Sequence, residues 1–223
     1  MISVVPSSLY PDAPRLEMLA FVPATTRMAL DVGCHTGAFG RAIKEKTGAT
    51  VWGVEPDPAT AQVAAESLDR VFPAFFSADL DLPDQTFDVI VFNDVLEHMP
   101  DPWAALKLAA RKITPNGCVV VSLPNLRHID NLMHILRERD FRFEPRGIRD
   151  QAHLRFFTFK SAPRLFDGSG LTITAIEGVN ELWHPSPLRF VARLLMKAQL
   201  EDTRHIQIAI VARPDATFAA HGV

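Results

Sequence analysis

Four polar groups stand where apolar runs end. Asp31 lies in Ala29-Leu30-Asp31-Val32-Gly33-Cys34-His35-Thr36-Gly37, and Glu55 follows Val51-Trp52-Gly53-Val54. Asp79 follows Phe75-Phe76-Ser77-Ala78, and Asn93-Asp94-Val95-Leu96-Glu97-His98 follows Val89-Ile90-Val91-Phe92. Glycines in the first turn let backbone N–H groups approach a ligand, because no Cβ intervenes. An acid in that turn would repel phosphate, so Asp31 points to a ligand whose near end is positive or donates hydrogen bonds. A carboxylate at the second strand end can accept both hydroxyls of a ribose. Asp79 could accept from an exocyclic amine such as that of adenine. His98, just past the fourth apolar run, could take a proton from a hydroxyl or amine. His153 could act as a base or a binder, Arg149 and Arg155 could hold a phosphate or carboxylate, and Asn125 could line a pocket. Each has a plainer alternative: the Met99-Pro100 turn for His98, a structural hydrogen bond for His153, the surface for the arginines, and the start of a helix for Asn125.

These residues need elements to position them. Strands are expected at Arg27–Val32, Thr50–Glu55, Ala74–Ala78, Phe87–Asn93, Cys118–Leu123, Leu171–Glu177 and Ile206–Ala212. Continuous runs such as Val119-Val120-Val121 suit strands buried on both faces. Helices are expected at Pro14–Phe21, Phe39–Thr47, Pro58–Val71, Pro102–Ile113, Arg127–Arg139 and Lys160–Phe166. Asp57-Pro58 and Asp101-Pro102 each read as an N-cap with proline at the first helical position, and Pro115-Asn116-Gly117 as a turn into the next strand. The alternation implies a doubly wound α/β sheet, whose ligands sit beyond the carboxyl ends of the strands. Residues 141–159 and 180–200 break the rhythm and are candidate lids or partner surfaces; the second contains the amphipathic segment Leu188–Leu200.

The bulk properties bound the function. The 223 residues fit a single domain, 48% are apolar and 22% charged, and 23 basic against 26 acidic residues give a net charge of −3. That balance weighs against a chain whose main task is gripping nucleic acid. Cys34 and Cys118 stand alone, so neither CxxC chemistry nor a disulfide framework is indicated, and a reducing cytoplasm is the default. Met1–Tyr10 lacks the pattern of a signal peptide, and no apolar run is long enough for a membrane span. His128 and His134 are six apart with no helical partner ligand, so no metal site is expected.

The three best runs, Asp31-Val-Gly-Cys-His-Thr-Gly37, Gly53-Val-Glu-Pro-Asp-Pro58 and Phe87-Asp-Val-Ile-Val-Phe-Asn-Asp-Val-Leu-Glu-His98, resemble in order and interval the motifs of class I S-adenosylmethionine (SAM) dependent methyltransferases. The resemblance implies a Rossmann-like, mostly parallel seven-stranded sheet with an antiparallel last strand and helices on both faces. It implies SAM as cofactor and S-adenosylhomocysteine as product. Asp31 and the backbone of Gly33, Cys34, His35 and Gly37 would hold the methionine end and Glu55 the ribose. Asp79 and Leu80 would frame the adenine, and Asn93 and Val95 would line the methyl-bearing side. Ser122–Asn125, Gly147–Asp150 and His153–Phe159 resemble a bacterial subgroup that includes ubiquinone-type O-methyltransferases and enzymes acting on sugars. The implied partner is a small-molecule acceptor, with Leu188–Leu200 available for a homodimer contact. His35 departs from the pattern, since relatives commonly have glycine there; either the turn keeps φ negative or it accepts strain. Two other readings remain: a nicotinamide-dependent oxidoreductase, against which Gly33-Cys-His-Thr-Gly37 lacks the middle glycine of G-x-G-x-x-G, and a SAM-fold binding module without catalysis.

Overall fold

The computed structural model describes residues 13–182 and 200–215. Seven strands, β1 (Met28–Val32), β2 (Thr50–Val54), β3 (Arg70–Phe72), β4 (Phe87–Asn93), β5 (Ile113–Pro124), β6 (Leu171–Glu181) and β7 (His205–Pro214), form a single sheet in the order β3-β2-β1-β4-β5-β7-β6. The first five run parallel, and β7 runs antiparallel to both β5 and β6. The sheet is therefore mostly parallel with an antiparallel last strand, as the resemblance implied. Strand order reverses at β1 and β4, which places a crevice at their carboxyl ends.

Alternation along each central strand sorts side chains to two faces. Leu30, Val32, Ile90, Phe92, Val119 and Val121 share one core cluster with Leu106 and Ala109 of α4 (Pro102–Lys112). Ala29, Val89, Val91 and Val120 share the other with Met18 of α1 (Leu16–Leu19) and Phe39 and Ile43 of α2 (Ala38–Thr47). Both faces of the central strands are thus covered, which is why their sequences read as unbroken apolar runs. Asp57 and Asp101 cap α3 (Pro58–Ala64) and α4 by accepting from the backbone N–H groups of Thr60 and Ala104.

The structure corrects several boundaries. The expected strand at Ala74–Ala78 is not one: the third strand is Arg70–Phe72, and the chain leaves the sheet at Pro73, which has no N–H to give to a ladder. The helix expected to reach Val71 accordingly stops at Ala64. Pro115-Asn116-Gly117 does not separate a helix from a strand. It lies inside β5, where the partner of Phe87 is Ile113 but the partner of Val89 is Cys118, so the extra residues are absorbed as a bulge. The helix expected at Lys160–Phe166 is a 3₁₀ turn, Ala162–Phe166, and Arg127–Arg139 contains the helix α5 (Ile129–Glu138). The amphipathic segment Leu188–Leu200 falls almost wholly outside the described residues.

Candidate functional site

A cavity of about 660 Å³ opens at the carboxyl ends of β1, β2 and β4. Its first wall is the turn after β1. Gly33 and Gly37 adopt φ of 70° and 84°, and the N–H groups of Gly33 and Cys34 donate to the Val54 carbonyl at 2.7 and 3.2 Å, folding the turn over the end of β2. Glycine at 33 is demanded twice: by its φ, and by a Cβ there falling 2.6 Å from Cγ2 of Val95. His35 takes the strained alternative, with φ of 49°. Its N–H donates to Oε2 of Glu55 at 3.0 Å, while the Asp57 N–H donates to Oε1 at 3.0 Å. Glu55, 9% exposed, is thereby fixed at the cavity wall. Burial is the main cause of its carboxyl being raised above the usual range, with these two N–H groups opposing.

Asp31 is fully buried beneath this turn. The Gly40 backbone donates to it, yet Oδ2 has no hydrogen-bond partner. Burial, with a further contribution from the Glu55 charge, pushes its pKa up to about 7. Cys34 and His35 line the cavity; Gly37 shapes the turn without lining it. The Cys34 thiol packs over Gly53, where a Cβ would come within 2.6 Å of Sγ, and burial raises its pKa, so it is inert filler. Asn93 and Val95 line the far side, and both amide atoms of Asn93 are buried without partners.

The second half of the cavity is built on the 3₁₀ turn Leu96–His98 and on residues within 146–153 of the segment 141–159. Nδ1 of His98 donates to the Ala152 carbonyl at 3.3 Å, and Nδ1 of His153 to the Ile148 carbonyl at 3.2 Å. The two rings meet edge to face, 4.7 Å apart. Burial is the largest cause lowering both imidazole pKa values, which keeps them neutral near pH 7. Both carbonyls demand a donor at Nδ1, so Nε2 is the basic nitrogen of each ring.

Glu97 joins them, and nothing in the sequence separated it from its neighbours. It is 0% exposed, lines the cavity, and neither carboxyl oxygen has a hydrogen-bond partner. Nε2 of His153 lies 3.9 Å from Oε1. Burial, then the Asp94 charge, raises its pKa well above the ordinary carboxylate range. One oxygen of Glu97 and one nitrogen from each histidine lie within 4.8 Å of one another, compact enough to share a small cation. The sequence argument against a metal considered only His128 and His134, and missed this grouping because Glu97 and His153 are brought together by the fold.

Five expected site residues lie elsewhere. Asp79 is exposed and Leu80 packs against the core; neither lines the cavity, whose wall beyond Glu55 is Ala74, Phe75 and Phe76. The displaced third strand explains the slip. Asn125 is buried and donates to the carbonyls of Asp202 and His205. Arg149 bonds to the Arg142 carbonyl, Asn131 Oδ1 and Glu144. Arg155 holds the Met99 and Pro100 carbonyls and lies over Trp103. All three tie loops together outside the cavity lining.

A family model described as a methyltransferase domain matches residues 12–176. The chain belongs to the methyltransferase-domain family. It is 32% identical over 160 residues to the ubiquinone biosynthesis O-methyltransferase of Idiomarina loihiensis, covering 69% of this chain and 65% of that enzyme. The enzyme of that name in Coxiella burnetii is 30% identical over 162 residues, covering 70% and 67%. The methyltransferase domain here thus spans about two thirds of the length of these relatives. A SAM-dependent methyltransferase from Archaeoglobus fulgidus shares the fold at a TM-score of 0.66 and 20% identity, covering 89% of this chain and 90% of that one.

Proposed function

We propose that this chain is a SAM-dependent methyltransferase acting on an oxygen or nitrogen of a small molecule. The observation that carries this reading is a buried carboxylate atom without a partner, Asp31 Oδ2, set beside Glu55 in a cavity walled by a left-handed glycine turn. An unpartnered buried carboxylate is costly alone and favourable opposite a ligand's ammonium. The residues fit SAM: Asp31 and the Gly33–His35 backbone would hold the methionine end, Glu55 the ribose hydroxyls, and Ala74–Phe76 the adenine in place of Asp79 and Leu80. When bound, SAM supplies an activated methyl group on a sulfonium.

The protein's share of the chemistry is then positioning and proton handling. Val95 and Asn93 border the passage from the Asp31–Glu55 end to the histidines. His98 and His153, neutral and with Nε2 as base, can take the proton of an acceptor at the other end. Residues 146–153 supply part of the wall at that end. A cavity of about 660 Å³ suits small-molecule ligands. The ubiquinone-type relatives support a hydroxylated acceptor as one class. No described helix is long and apolar enough to cross a membrane.

Titration calorimetry with SAM, S-adenosylhomocysteine and NADH tests the reading. Micromolar binding of the first two and none of NADH is expected; binding of NADH alone would return the chain to the oxidoreductases. Binding of SAM with no methyl transfer across a broad acceptor panel would favour a non-catalytic module.

A further inference from the structure

The end of the cavity away from Asp31 and Glu55 is acidic. Asp94, Glu97 and Asp150 line it with the two histidines, and Arg15 and Arg146 line the cavity as well, Arg146 as an exposed side chain. Arg15 is already committed: its guanidinium bonds to Glu17, Asp94 and Gln207. Asp150 is 1% exposed and accepts from the Ala152 N–H at 2.8 Å. Glu97 is left with a wholly buried carboxyl whose oxygens have no partner. The histidines turn their Nδ1–H groups to backbone carbonyls and their accepting nitrogens elsewhere. Asp94 is paired with Arg15, so the unpartnered carboxyl is that of Glu97, whose charge burial disfavours until a cation faces it; its complement is a group that is cationic and rich in donors.

We propose that the acceptor atom is the nitrogen of an amine, which enters as an ammonium, pairs with the buried carboxyl of Glu97 on the wall that Asp150 also lines, and is methylated at that nitrogen. This rests on the methyltransferase reading above and narrows its substrate class. A proton leaves the ammonium for Nε2 of His98 or His153, giving neutral amine and imidazolium. The nitrogen lone pair then forms the N–C bond as the C–S bond breaks, and that electron pair stays on sulfur. Positive charge moves from sulfur to nitrogen and remains in the product, where the otherwise unpartnered carboxyl of Glu97 favours it. A hydroxyl acceptor would have to develop negative charge beside the same carboxyl, which disfavours it. The electrostatics thus select nitrogen over oxygen unless a metal cation occupies Glu97, His98 and His153, which would reverse the sign.

Matched pairs decide it: methylamine against methanol, and benzylamine against benzyl alcohol. Each is titrated into protein saturated with S-adenosylhomocysteine, in EDTA and again with Mg²⁺ or Zn²⁺, alongside assays of methyl transfer to the same compounds with SAM. In EDTA the amines should bind at least tenfold more tightly than the alcohols and be methylated preferentially. Glu97→Gln should remove about tenfold of the amine affinity while leaving that for S-adenosylhomocysteine unchanged, and Asp150→Asn gives the same test at a second carboxylate should the first variant unfold. No amine preference, including no binding of either member, overturns the proposal. So does alcohol binding or methylation that appears only with added metal and is lost in Glu97→Gln, which would make the cation a metal. Failure of the parent protein to bind S-adenosylhomocysteine would instead strike the underlying function.

Discussion

Asp31 carries the clearest pH signature of any single residue. Its carboxyl titrates near 7 in the folded chain against an ordinary value of 3.8, so the folded state holds the proton more tightly. That contribution is fully present below pH 3.8 and is lost as pH rises towards 7, because the unfolded state binds fewer protons across the window. A shift of this size corresponds to about 4 kcal/mol. Denaturant melts of the ligand-free parent and of Asp31→Asn, which does not titrate, should show the variant gaining relative stability between pH 4 and 8. A pH-independent difference would place the raised pKa in doubt. Asp31 was legible from sequence as an acid near the end of an apolar run, just before a glycine turn. His35 was legible as an anomaly, and the structure resolves it: the backbone accepts φ of 49° and aims its N–H at Glu55. At the base, His98 and His153 remain neutral because burial lowers their pKa values. Replacing either with Ala should reduce turnover by about 100-fold with unchanged S-adenosylhomocysteine affinity. Unchanged turnover would remove that histidine from the chemistry.

At the scale of elements, the strands that build the crevice were readable because burial on both faces leaves uninterrupted apolar runs. The third strand was not. Arg70-Val71-Phe72 is too short and too polar at its start to compete with the Phe75-Phe76 run, yet Pro73 ends the ladder before that run begins. The error moved two expected ligand residues, Asp79 and Leu80, out of the cavity. The arginines misled for another reason: a guanidinium suits a ligand's phosphate and a loop's carbonyls equally well, and sequence does not show which is nearer. Arg149, 9% exposed, clamps Arg142, Asn131 and Glu144 within the wall that carries His153. Arg149→Ala should cost about 2–3 kcal/mol by leaving the buried Asn131 oxygen unpartnered, read as a lowered melting midpoint. Its effect on S-adenosylhomocysteine affinity should stay within twofold. Lost affinity at unchanged stability would make Arg149 a ligand contact after all.

Across the whole molecule, the site is assembled from residues far apart in sequence. Asp31 and Glu55 come from the first two strand ends, Glu97 and His98 from the fourth, and His153 from a wall that reaches the turn through the Leu154 N–H, which donates to the Glu97 carbonyl at 2.9 Å. Arg15 brings the first described segment onto the same end by pairing with Asp94 and bonding Gln207 of β7. Periodicity and motif spacing exposed the Asp31–Glu55 half of the cavity, because those residues follow strands in fixed order. They could not expose the acidic half, because the meeting of Glu97 with His153 depends on how a loop folds back over the sheet.

The central claim is that the Asp31–Glu55 end of the cavity binds the adenosyl-methionine moiety. Calorimetric titration of S-adenosylhomocysteine into the parent and into Glu55→Ala tests it most directly. Loss of a charge-assisted pair of hydrogen bonds to ribose should weaken binding by about 1–3 kcal/mol, roughly 5- to 150-fold. The folded variant binding as tightly as the parent would contradict the account.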